Sequence, residues 1–130
     1  MSLELGIKGS ASCTVTKDLT AKALRSGGLD VFATPIMIAL MEEASLVSVR
    51  PYLEPGMDTV GTHLDVSHLS PTPVGMKVTA ESELIEIDRR RLVFAVKAYD
   101  ETGLIGEGKH ERFIVAMDKF TAKCEAKMAK

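Results

Sequence analysis

The chain has 130 residues and a formal net charge of -2, and its composition is 45% hydrophobic and 26% charged. This length fits one domain, spanning 1–130, with no room for a second core of ordinary size. The composition excludes intrinsic disorder, which needs low hydrophobicity and high net charge. The charge balance argues against a nucleic-acid partner, because such binding depends on clustered Lys and Arg side chains. The longest uncharged apolar run, 35–41, is far shorter than the roughly 20 residues of a membrane span.

The two cysteines, Cys13 and Cys124, lie near opposite ends of the chain. Their spacing matches no CxxC or zinc pattern, so no metal site is predicted, and no cofactor is expected. The first residues lack the charged start and long apolar stretch of a signal peptide. We therefore expect a cytoplasmic protein with free thiols.

The first half of the chain predicts a strand and one long helix. Weak alternation over 6–16 indicates a strand, and one or two helical turns follow before the Gly27-Gly28 pair. Thr34 and Pro35 then indicate a helix start, with the threonine hydroxyl as N-cap and the proline in the first turn. The helix, 36–50, is apolar nearly all round, which is typical of a buried helix.

The second half of the chain predicts strands, because its apolar pattern changes to period two. His68 shares one strand face with Leu64 and Val66, whereas His63 and Asp65 share the other face. Short connections indicate antiparallel hairpins between the later strands. The predicted strands cover 62–68, 77–87, 91–99 and 104–117, and a charged, helical tail covers 119–130.

This element order predicts the α+β hot-dog fold, in which an antiparallel β-sheet wraps around a long central α-helix. A helix that is apolar on most sides needs a curved wall, and such a sheet provides one. A sheet of this size also has free edges, and pairing an edge with a second copy covers it. We therefore expect a homodimer that forms through the sheet edge.

Glu42 is the unusual residue of the predicted helix, because its neighbours one and two turns away are apolar or small. Glu43 instead shares an arc with Arg50 and has a route to solvent. A carboxylate on an apolar arc is costly unless it is paired, or it keeps its proton to higher pH. A plainer interpretation stays open, in which Glu42 reaches solvent at the helix edge or pairs with a structural cation.

The three histidines differ in their predicted surroundings. His68 points toward the helix if its apolar strand face is the inner one, although a lone histidine there is more often a core residue than a catalyst. His63 is expected in a solvated outer ladder beside Asp65. His110 shares a face with two glycines and Arg112; the glycines permit close approach by a ligand, but a bulge explains them equally well.

Several segments, taken together, form a specific series. The series runs in order along nearly the whole chain, and it resembles the fluoroacetyl-CoA thioesterase family of hot-dog proteins. The segments are VFATPIMIALME at 31–42, PYLEPG at 51–56, the residues 60–68, TPVG at 72–75, GEGKHER at 106–112, and KF at 119–120.

The resemblance implies an acyl-CoA thioesterase that acts on a short acyl-CoA. The family's catalytic threonine, glutamate and histidine fall on Thr34, Glu42 and His68, and its substrate-contacting glycine and arginine fall on Gly61 and Arg112. The same glutamate and histidine were selected by the helix and strand patterns. One departure concerns the stretch 19–31, which holds no aromatic residue where the fluoroacetyl-specific enzyme covers its acyl pocket, so a preference for a fluorinated acyl group is not implied.

In this interpretation, three residues bind the substrate. A backbone N–H in a turn at Gly61 and Thr62 donates to the oxyanion that develops during thioester hydrolysis, because glycine lets a substrate come close. Arg112 orients the acyl group or the pantetheine arm.

The chemistry itself needs an activated nucleophile. His68 can take a proton from water or from the Thr34 hydroxyl. Glu42 either attacks the thioester or acts as a base on water, so the nucleophile stays open between Glu42, Thr34 and water. Two other functions stay open as well: a hot-dog hydratase or dehydratase, and a non-catalytic acyl-CoA-binding protein.

Overall fold

A five-stranded antiparallel sheet forms most of the structure, a computed structural model that describes residues 2–129. Its strands are β1 (Lys8–Thr14), β2 (Met57–His68), β3 (Lys77–Asp88), β4 (Arg91–Asp100) and β5 (Gly103–Ala116). The strand order is β1-β3-β4-β5-β2, and every neighbouring pair is antiparallel. β1 and β2 are therefore the two edge strands.

One long helix, α1 (Thr34–Val49), packs on the sheet and contacts all five strands. Its buried residues join the inner faces of the strands in the hydrophobic core, which includes Met37, Met41, Leu84 and Phe94. A short exposed helix, α2 (Met117–Glu125), follows the last strand, as the charged tail predicted. This α+β architecture is the predicted hot-dog fold.

Glycines allow the sheet to approach α1 closely. A Cβ at Gly9 would overlap the backbone oxygen of Ala44, and a Cβ at Gly106 would lie 2.5 Å from the sulfur of Met37. Real Cβ atoms do not approach other atoms so closely, and glycine removes the obstacle. The inner face of the sheet therefore follows the surface of the helix.

The start of α1 differs from the prediction. The helix begins at Thr34, two residues earlier than expected, and its N-cap is Ala33. The expected N-cap role of Thr34 is wrong, because its hydroxyl bonds to His68 of β2 and no side chain caps the helix. Thr34 thus lies in the first turn with its side chain turned to the sheet.

The predicted burial of α1 on all sides is also wrong for a single chain. Pro35, Ala39, Glu43 and Val47 are exposed. Because these residues recur every four positions, they form one continuous stripe along the helix. The apolar composition of the helix therefore exceeds what this chain's own sheet covers.

A β-bulge interrupts β2 where a turn was expected. The register with β5 shifts between Gly61 and His63, and Thr62 has no partner in the register. Gly61 and His68 are seven residues apart, so a regular strand would direct them to opposite faces. The extra residue of the bulge restores the alternation, and both positions face α1. The predicted turn at Gly61 and Thr62 is thus wrong.

Two further features bear on the predictions. Cys13 is partly buried and Cys124 is exposed, and both are free thiols; burial raises the pKa of Cys13, with Glu43 adding to the effect. In residues 2–129, no helix has both the length and the apolar character needed to cross a bilayer.

Candidate active site

The first part of the site is a pair of side chains at the start of α1. Thr34 Oγ1 lies 2.7 Å from His68 Nδ1. The pair borders an open cavity of about 280 Å³ whose apolar wall includes Ala21, Val31 and Phe32. A hydroxyl and an imidazole thus share a hydrogen bond beside an apolar cavity.

The surroundings of His68 favour a neutral imidazole. Burial is the main cause that lowers the pKa of its imidazole below the usual value of 6.5, so the neutral form predominates at pH 7. Nδ1 contacts Thr34, whereas Nε2 is buried and has no hydrogen-bond partner among the described residues. In either neutral tautomer, one ring nitrogen is free to give or accept a hydrogen bond.

The second part of the site surrounds Glu42, two turns further along α1. Its Oε2 lies 3.7 Å from Nη1 of Arg112, and its side chain is 39% exposed. The same oxygen lies 2.6 Å from the position that a Cβ of Gly61 would take. Glu42 therefore occupies space that only a glycine at the bulge leaves open.

Arg112 is held firmly beneath Glu42. The residue is 5% exposed. Its Nε donates to Thr59 Oγ1 at 2.8 Å, and its Nη2 donates to the Thr59 carbonyl at 2.9 Å. Burial lowers the pKa of the guanidinium, and the charge of Glu42 opposes that effect. Arginine nevertheless stays charged in proteins, so Arg112 provides the buried positive charge that faces the carboxylate.

Thr34 and His68 thus come together, as do Glu42, Gly61 and Arg112, but the two groups are separate in one chain. Eight residues along α1 correspond to about 12 Å between Thr34 and Glu42. In a single chain the Glu42 carboxylate does not lie among apolar side chains, because its side chain is 39% exposed. The alternative of a carboxylate at the helix edge, paired with a cation, is the arrangement observed.

The buried contacts of His110 were not predicted from the sequence. This residue is fully buried, its Nδ1 lies 2.9 Å from the His63 carbonyl, and its Nε2 lies 3.1 Å from Nη1 of Arg112. Burial is the main cause that lowers the pKa of His110. The shared strand face of His110 and Arg112 was visible in the sequence, but the carbonyl on β2 that completes the arrangement was not.

The remaining candidates lie at the surface. Thr62 is exposed, and its hydroxyl donates to the Glu111 carbonyl at 3.2 Å. His63 is exposed on the outer face of β2, as predicted. In the described part of the chain, no group of three or more His, Cys, Asp or Glu side chains is placed to hold a metal ion.

A larger open groove, of about 500 Å³, lies across β1, β3 and β4. It is lined by residues that include Lys8, Glu81, Glu83 and Lys97. The register places Glu81 beside Lys97 and Lys8 beside Glu83, so opposite charges neighbour each other on this outer face. The groove contains no nucleophile paired with a base, so the Thr34 cavity is the better candidate site.

Comparison with known proteins gives a consistent result. The model of a family described as fluoroacetyl-CoA-specific thioesterase matches residues 15–118. A fluoroacetyl-CoA thioesterase of Streptantibioticus cattleyicolor is 44% identical over 98 residues, which cover 75% of this chain and 70% of that protein.

Solved structures agree with the sequence relatives. A mutant of the fluoroacetyl-CoA-specific thioesterase, solved with fluoroacetate and CoA, is 35% identical with a TM-score of 0.85 and covers 91% of this chain and 99% of its own. A Thermus thermophilus member of the thioesterase superfamily is 28% identical with a TM-score of 0.90, over 97% of this chain and 93% of its own. The chain therefore belongs to the fluoroacetyl-CoA-specific thioesterase family.

Proposed function

We propose that this acyl-CoA thioesterase hydrolyses the CoA thioesters of short acyl groups, with Thr34, Glu42 and His68 as its catalytic residues. The 2.7 Å contact between Thr34 Oγ1 and His68 Nδ1 beside the cavity is the observation that carries the proposal. A neutral imidazole is a suitable base near pH 7. The related structure with fluoroacetate and CoA supports a CoA thioester as the substrate.

In the proposed reaction, water is the nucleophile. His68 takes a proton from the water, whose oxygen bonds to the thioester carbon, and the carbon–sulfur bond then breaks. The imidazolium returns the proton to the departing sulfur, so the products are the free acid and CoA. Glu42 stabilises the imidazolium by its negative charge, in the way that the carboxylate of a catalytic triad does.

The bulge of β2 supports a binding role for Gly61 and Thr62. Thr62 is outside the β2–β5 register, and the extra residue of a bulge is left unpaired by the ladder. We assign its N–H as a donor to the oxyanion, and one such preorganised donor is worth roughly 3 kcal/mol in hydrolases. Arg112 is buried beneath Glu42, so we assign it a role in orienting Glu42 rather than the acyl group.

A homodimer through the edge of β2 would complete this site. β2 is an edge strand of 12 residues, and unpaired edges favour pairing with another chain. In a two-fold dimer the two β2 strands run antiparallel. This arrangement brings the His68 end of one strand beside the Gly61 half of the other, and hence toward Glu42 of the second copy. The exposed stripe on α1 and the exposed Leu64 of β2 further support burial by a second copy.

The acyl group follows from the cavity next to Thr34. Ala21 and Val31 are small wall residues, and the one aromatic in its wall, Phe32, is buried in the core. Apart from Thr34, His68 and Ser70, the wall is apolar, so it offers little that distinguishes fluorine from hydrogen. We propose that acetyl-CoA, propionyl-CoA and fluoroacetyl-CoA are all hydrolysed, with catalytic efficiencies within about 200-fold of one another, since one methylene in an apolar pocket discriminates by about 10- to 200-fold.

The test is an acyl-CoA panel incubated with the purified protein and analysed by mass spectrometry. Hydrolysis releases free CoA, whereas a hydratase would give a hydrated adduct and a binding protein would leave the ligand unchanged. Glu42→Gln and His68→Ala should each lower kcat by about 100-fold. Activity that is unchanged in both variants would remove these residues from the mechanism.

The domain organisation and the cellular location of the protein are further parts of the proposal. We propose that 1–130 forms a single domain, since one sheet and one helix share one core. We also propose a cytoplasmic location, which the two free thiols support because reducing compartments keep thiols in this form. Limited proteolysis and cell fractionation test these two statements.

A further inference from the structure

A fully buried histidine outside the proposed catalytic set lies between two polar partners. His110 is on the inner face of β5, and its two ring nitrogens contact the His63 carbonyl and the Arg112 guanidinium. A carbonyl only accepts hydrogen bonds, so Nδ1 must carry the proton. Nε2 then has a lone pair, which accepts from Nη1 of Arg112. One neutral tautomer therefore satisfies both contacts.

The contact between His110 and Arg112 involves the guanidinium nitrogen that lies nearest to Glu42. Thr59 accepts from Nε and Nη2, whereas His110 accepts from Nη1. Nη1 is also the nitrogen 3.7 Å from Oε2 of Glu42. His110 and Thr59 thus fix the plane of the guanidinium from two sides, and the second hydrogen on Nη1 remains for the carboxylate.

We propose that His110 is a positioning residue for thioester hydrolysis, acting by holding Arg112 so that its guanidinium orients Glu42. This inference rests on the proposed catalytic role of Glu42. His110 itself touches no reacting atom. Its Cε1 lies 3.2 Å from where a Cβ of Gly61 would be, and Oε2 of Glu42 lies 2.6 Å from the same position, so both groups border the space that Gly61 leaves open.

A purely structural role makes different predictions. A ring that only fills the core beside Phe94, whose centroid is 6.4 Å away, would affect stability and not the geometry of Arg112. A positioning role affects kcat and leaves KM nearly unchanged, because His110 acts through Arg112 and Glu42 and does not itself contact the substrate. Two conservative variants separate these roles, since each keeps one of the two hydrogen bonds.

In His110→Asn, the amide nitrogen takes the place of Nδ1 and donates to the His63 carbonyl, but nothing reaches Arg112. In His110→Gln, the longer side chain places its amide oxygen near the position of Nε2, where it accepts from Arg112. We expect His110→Asn to lower kcat by about 10-fold or more with KM within about 2-fold, and His110→Gln to stay within about 3-fold of the wild type. Equal kcat values for the two variants would overturn the proposal.

A double-mutant cycle with Glu42→Gln separates this inference from the proposed function. Where Glu42 has been replaced, adding His110→Asn should leave the residual kcat unchanged. An unaltered kcat for Glu42→Gln alone contradicts the proposed function. A large loss from Glu42→Gln together with wild-type activity for His110→Asn contradicts only the role of His110.

The tautomer of His110 can be measured directly in the wild-type protein, so this test does not depend on the folding of a variant. In nitrogen-15 NMR spectra at about pH 7, the His110 ring should be neutral, with its proton on Nδ1 and none on Nε2. A proton on Nε2 would exclude acceptance from Arg112 and overturn the proposal.

Discussion

Replacing Gly61 with alanine tests how closely Glu42 depends on the bulge. The new Cβ would lie 2.6 Å from Oε2 of Glu42. Ordinary contact begins near 3.4 Å, so the carboxylate must retreat by about 0.8 Å. A misplacement of about 1 Å in a catalytic group costs about 100-fold in rate. We therefore expect Gly61→Ala to lower kcat by 10- to 100-fold, measured as release of free CoA.

The stability of this variant should hardly change. Glu42 is 39% exposed and can move without disturbing the core. The buried His110 ring, whose Cε1 would lie 3.2 Å from the new Cβ, needs to shift by only about 0.2 Å to reach ordinary contact. The φ of Gly61 lies outside the left-handed region, so alanine fits the backbone and even removes some entropy from the unfolded chain. The free energy of unfolding should stay within about 1 kcal/mol of the wild type, as urea titration measures.

Gly9→Ala is the matched control on the other edge of the sheet. There the added Cβ overlaps the backbone oxygen of Ala44 and lies 2.6 Å from the Cβ of Ser48. A backbone cannot retreat as a side chain does, so we expect a loss of about 1–3 kcal/mol in stability and a wild-type kcat for the folded enzyme. A wild-type kcat for Gly61→Ala, or a loss of stability as large as that of Gly9→Ala, would refute this reasoning.

Three further predictions concern the proton transfers. Burial lowers the pKa of His68 and His110, so below pH 6.5 the unfolded chain binds more protons than the folded one. The free energy of unfolding should therefore fall on acidification, by at most about 1.4 kcal/mol per pH unit for each histidine. Urea midpoints at several pH values measure this change, and a rise in stability contradicts it. Thr34→Val, which cannot bond to His68, should lower kcat by about 100-fold, whereas Thr34→Ser should lower it by less than about 10-fold, and equal losses would remove the hydroxyl from the account. Single-turnover hydrolysis in oxygen-18 water should label the acid product and leave Glu42 unlabelled, whereas label in Glu42 indicates that its carboxylate is the nucleophile.

Much of the fold could be predicted because period-two alternation and the glycine and proline breaks identify strands locally. The helix was also clear from its apolar run and from the proline at its start. The first residue of the helix was misplaced because threonine is a common N-cap residue, whereas the Thr34 hydroxyl bonds to His68 on a strand more than 30 residues away. The preference of threonine for the N-cap position is thus overridden by a tertiary hydrogen bond.

The site was predicted less completely, since its geometry depends on long-range contacts. The bulge at Thr62 changes which residues of β2 face the helix, and alternation alone does not locate such an insertion. The partner of Glu42 is a cation 70 positions later in the chain. The apolar pattern of α1 predicted burial on all sides, whereas one stripe of the helix is exposed in a single chain.

We propose that Glu42 of one copy acts with Thr34 and His68 of another. Co-expressing Glu42→Gln with His68→Ala tests it, because half of the randomly formed dimers are mixed and each mixed dimer holds one intact site. We therefore expect about a quarter of wild-type activity. The control mixture of Thr34→Val with His68→Ala should show no recovery, because Thr34 and His68 contribute to a site from the same copy and no mixed dimer then holds an intact site. Activity of the first mixture no greater than that of its separate components would contradict the account.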